Sequence, residues 1–571
     1  MNAYAYGILI SLAVYLVVGN YAGRKVKHLD DYFVAGRQAP TLLIVGTLVA
    51  SLMSTNAFLG EVGMAYSGYG TLVIIITTIN VAGYVGGALF FGRHLRRSRA
   101  LTVAEYFGRR FADHRVQVAA GITVIIGLGA YLMAVTQGAG LILSQVTEIP
   151  YEGALILVWL GYTSFTLYAG SRGVVITDTI MFLLFSLVAF ISLAFIVDAA
   201  GGWTATIEGL ARFEAKPGII AWHGMIGPEA NWATAADALT WAIILGVAWS
   251  VVMMVSPWQA SRYLMAKNEH VVIRSGCGAA IMILVLYAVL ELVGAAINLG
   301  NADIEPAEHA MIWAALNLMP TFAGVLLMSG IMAAALSSAT TFLSLVGFSA
   351  SNDIVRHKTT DERKLLLMSR LSMLGIGLAA LALAFFVPPR IFWITYFAGT
   401  VFASSWGPVA IMSVWSRRIT ADAAFWGIVV GFVTNVVPKA LSLLEIIELP
   451  VWADPIIIGA ILSAVTIVLV SRRGRVTEAE RKYREQLHVM PSAEVDPVQL
   501  RRTLLWPKLL IAIGLGVAMA MMVFYAIPYQ RAVGADSSSG VSGELLFCLC
   551  SGLLVIGCGL LARWEIKRSF H

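Results

Sequence analysis

Apolar residues along this chain fall in long blocks that show neither the alternation of a half-buried strand nor the polar face of a surface helix. Each block holds roughly 20 such residues, the length an α-helix needs to cross a bilayer core. A backbone in lipid must satisfy its own hydrogen bonds, so blocks of this kind predict helices throughout. Fifteen are readable, with cores near 3–22, 41–66, 69–92, 116–146, 151–170, 173–199, 235–261, 275–298, 310–350, 371–388, 391–416, 420–444, 455–471, 509–528 and 545–562. The first has no basic flank before it and no small-residue cleavage site after it, and so reads as a span and not as a signal peptide.

Composition agrees with the pattern. Of 571 residues, 59% are apolar and 13% charged, where a soluble domain carries roughly 25% charged residues. A formal charge of +6 would suit nucleic acid only if the basic residues were clustered. They lie instead in alternate loops. The loops expected inside hold 34 of the 39 Lys and Arg, including Arg24, Lys25 and Lys27, the seven arginines from Arg93 to Arg115, and nine basic residues from Arg472 to Lys508. The positive-inside rule then puts the amino terminus outside and the carboxyl terminus inside, and nucleic acid is not expected as a partner. Cys277, Cys548, Cys550 and Cys558 offer neither a disulfide framework nor a zinc pattern. No Walker-type phosphate loop occurs, so ATP hydrolysis is not an engine within this chain. Nor can a nucleophile, base and oxyanion set be assembled from the spans, so the chain is not expected to be an enzyme or to carry a cofactor.

Two blocks are interrupted. The second contains Ala50-Ser51-Leu52-Met53-Ser54-Thr55-Asn56 followed by Gly60-Glu61, and the seventh contains Ser256-Pro257-Trp258-Gln259. Pro257 removes a backbone donor and frees carbonyls. Interrupted helices in corresponding positions of two halves mark the binding site of transporters built from inverted repeats. Counted from the second block, these are helices one and six of a five-plus-five arrangement. The ninth block adds Ser337, Ser338, Thr340 and Thr341 in mid-helix. Such hydroxyls serve close packing, or they join freed carbonyls as ligands of a hard cation such as Na+. Asp178 lies some five residues into the sixth block, where a helix cap and a functional carboxylate are both open readings. Glu291 and Lys439 read as side chains snorkelling to an interface. Tyr131, Thr136 and Gln137 on the fourth block and Asn80 on the third could orient a polar solute or bond between helices. The Gly83–Gly87 and Gly427–Gly431 pairs read as close helix contacts.

These residues resemble the sodium/solute symporter family over about 1–472. The likeness rests on Asp30-Asp31-Tyr32-Phe33-Val34-Ala35-Gly36-Arg37 after the first span and on the interrupted helix ending Phe58-Leu59-Gly60. It continues with Tyr168-Ala169-Gly170, Gly173 and Thr177-Asp178, then Ser261-Arg262-Tyr263-Leu264-Met265-Ala266-Lys267, and last Ser337-Ser338 through Asn352-Asp353-Ile354. The resemblance implies an all-α integral membrane protein with the leucine-transporter type of five-plus-five inverted repeat. It divides the chain into 1–40 (an extra helix and first loop), 41–416 (the ten-helix core), 417–472 (two more helices), 473–508 (a charged inner loop) and 509–571 (two further helices and a tail). It further implies a Na+ site of the Ala50, Met53 and Ala334 carbonyls with the Ser337 and Ser338 hydroxyls, and in some members a second Na+ at Asp178, Ser337, Thr340 and Thr341. The solute would meet Ser54, Asn56, Ala57, Asn80, Gln137, Trp258 and Gln259.

The expected activity is Na+-coupled uptake of a small polar solute across the plasma membrane. Sugar-carrying members place Gln and Glu where this chain aligns Ala57 and approximately Ile79, which favours an amino acid or carboxylate over a sugar. A Na+/sugar symporter and a symporter-like solute sensor are the alternatives, and the sensor lacks a kinase or receiver module after residue 562.

Overall fold

A computed structural model describes residues 3–23, 29–356, 361–443, 446–534 and 542–570. Arg24, Lys25 and Lys27 of the first loop lie outside the described residues. Among the described residues there is no strand, and one isolated bridge joins Ala39 to Ala266. Among the described residues, twelve helices are long and apolar enough to cross a bilayer, and a bent pair, Thr41–Leu52 with Asn56–Tyr66, makes a thirteenth. The two other expected spans are helical as well. One is Ala3–Gly23, and the other is the first part of Tyr151–Ala199, which turns at Gly170. Gly170 has φ 57°, and a Cβ there would stand 2.5 Å from the Tyr32 ring, so a side chain is excluded by both backbone and neighbour.

One block divides where the sequence expectation has it continuous. The ninth block, read as 310–350, is two helices, Ala310–Asn317 and Thr321–Phe348, because Pro320 opens the second and cannot continue the first. Lipid tails are as apolar as Leu, so close packing by small residues holds the helices together. Gly83 and Gly87 illustrate this: a Cβ on either would meet the Ser250 or Met254 backbone at 2.3 and 2.9 Å. Large apolar side chains such as Phe322, Phe386 and Leu553 cover the outer surface, as a bundle in lipid requires.

The two last helices clamp the arginine-rich end of the bundle. Glu565 accepts from Arg93 at 2.9 Å with both side chains buried, and Phe570 stacks on His270 at 4.6 Å. The charged segment before them is ordered there too. Helix Glu478–His488 opens with a capping box from Thr477 and Glu480, Arg110 donates to the Glu480 carbonyl, and Arg97 donates to that of Leu487.

Candidate functional site

Two interruptions shape the middle of the bundle. In the bent helix, Met53 leaves the helical region (φ −72°, ψ 76°) and the axis turns by 53°. Ser54 N–H donates to Leu52 O instead of reaching back to Ala50, and Ala57 N–H donates to Ser54 O instead of Met53 O. The Ala50 and Met53 carbonyls therefore lose their helical partners. Ser54 Oγ accepts from Asn56 N–H at 3.0 Å and so starts the second half. Ala57 is buried just beyond it. Gly60 permits the close crossing of a neighbour, since a Cβ there would stand 3.1 Å from the Phe392 nitrogen.

The hydroxyl-bearing helix Thr321–Phe348 faces this break. Ser338 Oγ donates to the freed Ala50 carbonyl at 3.2 Å. That separation is near the edge of about 3.4 Å between adjacent oxygens around a cation bound at about 2.4 Å. Ala334 and Ser337 lie buried within one turn on the same helix. Ser337 Oγ turns to Asp178 Oδ1 at 2.8 Å, and Thr340 Oγ1 bonds back to Ser337 O at 2.9 Å.

Asp178 is fully buried and held on several sides. Thr47 Oγ1 donates to Oδ2 at 2.5 Å, and the Arg262 guanidinium stands 3.6 Å from the same oxygen. Arg262 also donates to Thr341 Oγ1 at 2.5 Å. The residues grouped around Asp178 by resemblance thus come together, with a built-in cation among them. Arg262 and Thr47 were not singled out from sequence, although Arg262 stood inside a quoted motif. Only three-dimensional proximity reveals the pairing, because Thr47 is 131 positions from Asp178.

The seventh block breaks at Ser256 (ψ 149°), between Ala235–Val255 and Pro257–Met265. Trp258 is buried among Tyr131, Phe342 and Phe402, with ring centroids 5.7, 6.0 and 5.5 Å away. Gln259 donates to Leu48 O at 3.2 Å, tying this break to the first half of the bent helix. Gln137 donates to Val387 O at 2.6 Å.

A narrow cavity of about 20 Å³, room for about one water or a single ammonium group, lies beside the bent helix. The bent helix supplies Leu52, Asn56 and Glu61, and helix Gly70–Gly86 supplies Val73, Ile76, Thr77 and Asn80. Leu245, Trp249, Tyr287, Phe392, Thr395 and Tyr396 complete the wall. Of the solute residues expected from sequence, the cavity gathers Asn56 and Asn80. Ser54, Ala57, Gln137, Trp258 and Gln259 do not line it. Glu61 was noted from sequence only as a neighbour of the break. Glu291 does not snorkel: it is 2% exposed, and both its carboxylate oxygens are buried without a hydrogen-bond partner.

The sequence profile of the sodium:solute symporter family matches residues 32–431. The chain belongs to this family. It is accordingly a multi-pass membrane carrier that couples Na+ to a small organic solute. Among its relatives, the sodium/proline symporter of Salmonella typhimurium is 24% identical over 503 residues, covering 84% of this chain and 95% of that protein. The sodium/pantothenate symporter of Escherichia coli is 23% identical over 486 residues, covering 82% and 96%. In fold, the solved structure of a Na+-coupled sialic acid symporter matches with a TM-score of 0.69 at 18% identity, covering 84% of this chain and 99% of that one.

Proposed function

We propose that this symporter takes up its solute by binding Na+ between the bent helix and helix Thr321–Phe348. The ligands are the Ala50, Met53 and Ala334 carbonyls and the Ser337 and Ser338 hydroxyls. The observation that carries the reading is the Ala50 carbonyl, freed by the break and facing Ser338 Oγ at 3.2 Å. Na+ there orders the break, and the solute binds in the adjoining cavity at Asn56 and Asn80. Coupling is the greater affinity of one state for both ligands together. The arginine-rich end faces the cytoplasm of a cell bounded by the plasma membrane, so uptake runs from the cavity side.

A second Na+ at Asp178, Ser337, Thr340 and Thr341 would share its carboxylate with Arg262. A Hill coefficient of one with one-to-one flux would leave Asp178 to Arg262 alone. The relatives' substrates, proline and pantothenate, favour an amino acid or carboxylate here over a sugar. Accumulation of radiolabelled amino acids, monocarboxylates and sugars in proteoliposomes tests this reading. An inward Na+ gradient should drive uptake of one of the first two classes and K+ should not. Equal uptake from a pH gradient in sodium-free buffer would overturn it.

A further inference from the structure

The cavity beside the bent helix has a chemical bias. Asn56 Nδ2 donates to Glu61 Oε1 at 2.9 Å, which fixes both side chains and leaves Asn56 Oδ1 and Glu61 Oε2 buried with no hydrogen-bond partner. Asn80 Oδ1, on the facing wall, is in the same state. Asn56 and Asn80 are 3% and 6% exposed, so water does not reach them freely. Every unpartnered buried polar atom on the lining residues is thus an acceptor, one belongs to a carboxylate, and the Tyr287 hydroxyl faces that carboxylate. Among the described residues no Lys, Arg or His lines the cavity. Glu291, one turn beyond Tyr287 on helix Glu269–Ile297, is a second buried carboxylate but lines a separate cavity. Buried acceptors without partners are costly, and a solute that donates to them recovers that cost.

We propose that the cavity binds the ammonium group of an organic amine, with Glu61 as its counter-charge and Asn56 and Asn80 as further acceptors. The solute is then an amino acid or another cationic amine, and an anion without nitrogen is rejected by Glu61. A bare metal cation would also satisfy acceptors, but beside the hydroxyl-bearing Thr77, Tyr287, Thr395 and Tyr396 the wall carries Leu52, Val73, Ile76, Leu245, Trp249 and Phe392, which suit the hydrocarbon carried by an organic amine. The inference rests on the reading of this cavity as the solute site. It goes beyond that reading by naming the group recognised.

The test is thermal unfolding of the detergent-purified full chain in NaCl with matched probes. These are L-proline against cyclopentanecarboxylate and pyrrolidine, and L-leucine against 4-methylpentanoate and isoamylamine. Ligands of the folded state raise the melting temperature. At least one ammonium-bearing probe should raise it while its nitrogen-free carboxylate does not. Glu61→Gln should weaken that response by about ten- to hundredfold in apparent affinity, as loss of a charge-assisted hydrogen bond predicts. Glu61→Asp, which keeps the charge, should retain most of it. The Na+ response measured without solute should survive in Glu61→Gln, which separates this proposal from the sodium site. A nitrogen-free carboxylate that stabilises wild type and Glu61→Gln equally would overturn the proposal, as would loss of the solute-free Na+ response in Glu61→Gln alone. Absence of that response in wild type would instead overturn the sodium reading.

Discussion

The two broken helices use the same device to opposite ends. At Met53 the chain bends without a proline, and the groups it releases stay available: the Ala50 carbonyl to Ser338, and Asn56 and Glu61 to the cavity. At Ser256 the backbone of the residue itself is paired on both sides, while Ser256 Oγ and Trp258 Nε1 stay buried without a hydrogen-bond partner. Ser256 N–H donates to Val252 O, its carbonyl accepts from the Gln259 and Ala260 N–H groups, and Pro257 at the first helical position needs no donor. Its following side chains hold other parts of the protein, with Gln259 on Leu48 O, Trp258 in an aromatic cluster and Arg262 beside Asp178. On the proposed reading the polar break binds, and the proline break anchors.

The largest effect should come from the anchoring side. Asp178→Asn leaves the buried Arg262 guanidinium without its counter-ion, and breaking a buried pair costs about 3–5 kcal/mol. A clear drop in melting temperature is expected, and a double variant that also replaces Arg262 with Met should recover much of it. If Asp178→Asn unfolds like the wild type, Arg262 is not anchored there. Next comes the binding side. Ser338→Ala should weaken the Na+ response by about tenfold or more, the scale of roughly 1.4 kcal/mol, while Pro257→Ala should leave it unchanged. Equal losses in both variants would erase the distinction between the breaks.

How much of this was readable in the chain differs between the two regions in the same way. Both interruptions were legible, because Pro257 and the run Ser51 to Asn56 announce them locally. The facing of Ser338 and Ala50 followed from hydroxyls and freed carbonyls once the family likeness set the helices side by side. The pairing of Asp178 with Arg262 and Thr47 was not legible, because residues far apart in sequence meet only after folding. Glu61 was overlooked for a related reason: helical spacing gives its rank on the helix but not the cavity it faces. Glu291 was misread because burial depth is not encoded in hydropathy.

Smaller effects sharpen the picture. Gln259→Leu removes the bond to Leu48 O that ties one break to the other, with an expected cost of about 1 kcal/mol. Denaturant midpoints should register it, and no change would make the tether incidental. At the far end of the bent helix, the Lys216 ammonium donates to Tyr66 O at 3.0 Å and Asn298 Oδ1 at 2.7 Å, and lies 3.7 Å from the Tyr66 ring centre. Partial burial pushes its pKa down to about 8, against a carboxylate pull from Asp303. The folded state then binds fewer protons than the unfolded chain between about pH 8 and about 10.5, so its contribution to stability rises with pH across that window. Lys216→Met should flatten that part of the profile, and an unchanged slope would show that Lys216 titrates normally.

The central claim is that Na+ sits where the bent helix releases the Ala50 carbonyl opposite Ser338. The most direct measurement is the melting temperature of the purified protein in Na+ against K+ at equal ionic strength, for wild type and Ser338→Ala. The account predicts a Na+-specific rise in the wild type that largely disappears in the variant. Equal melting in the two cations, or a rise undiminished by the substitution, would contradict it.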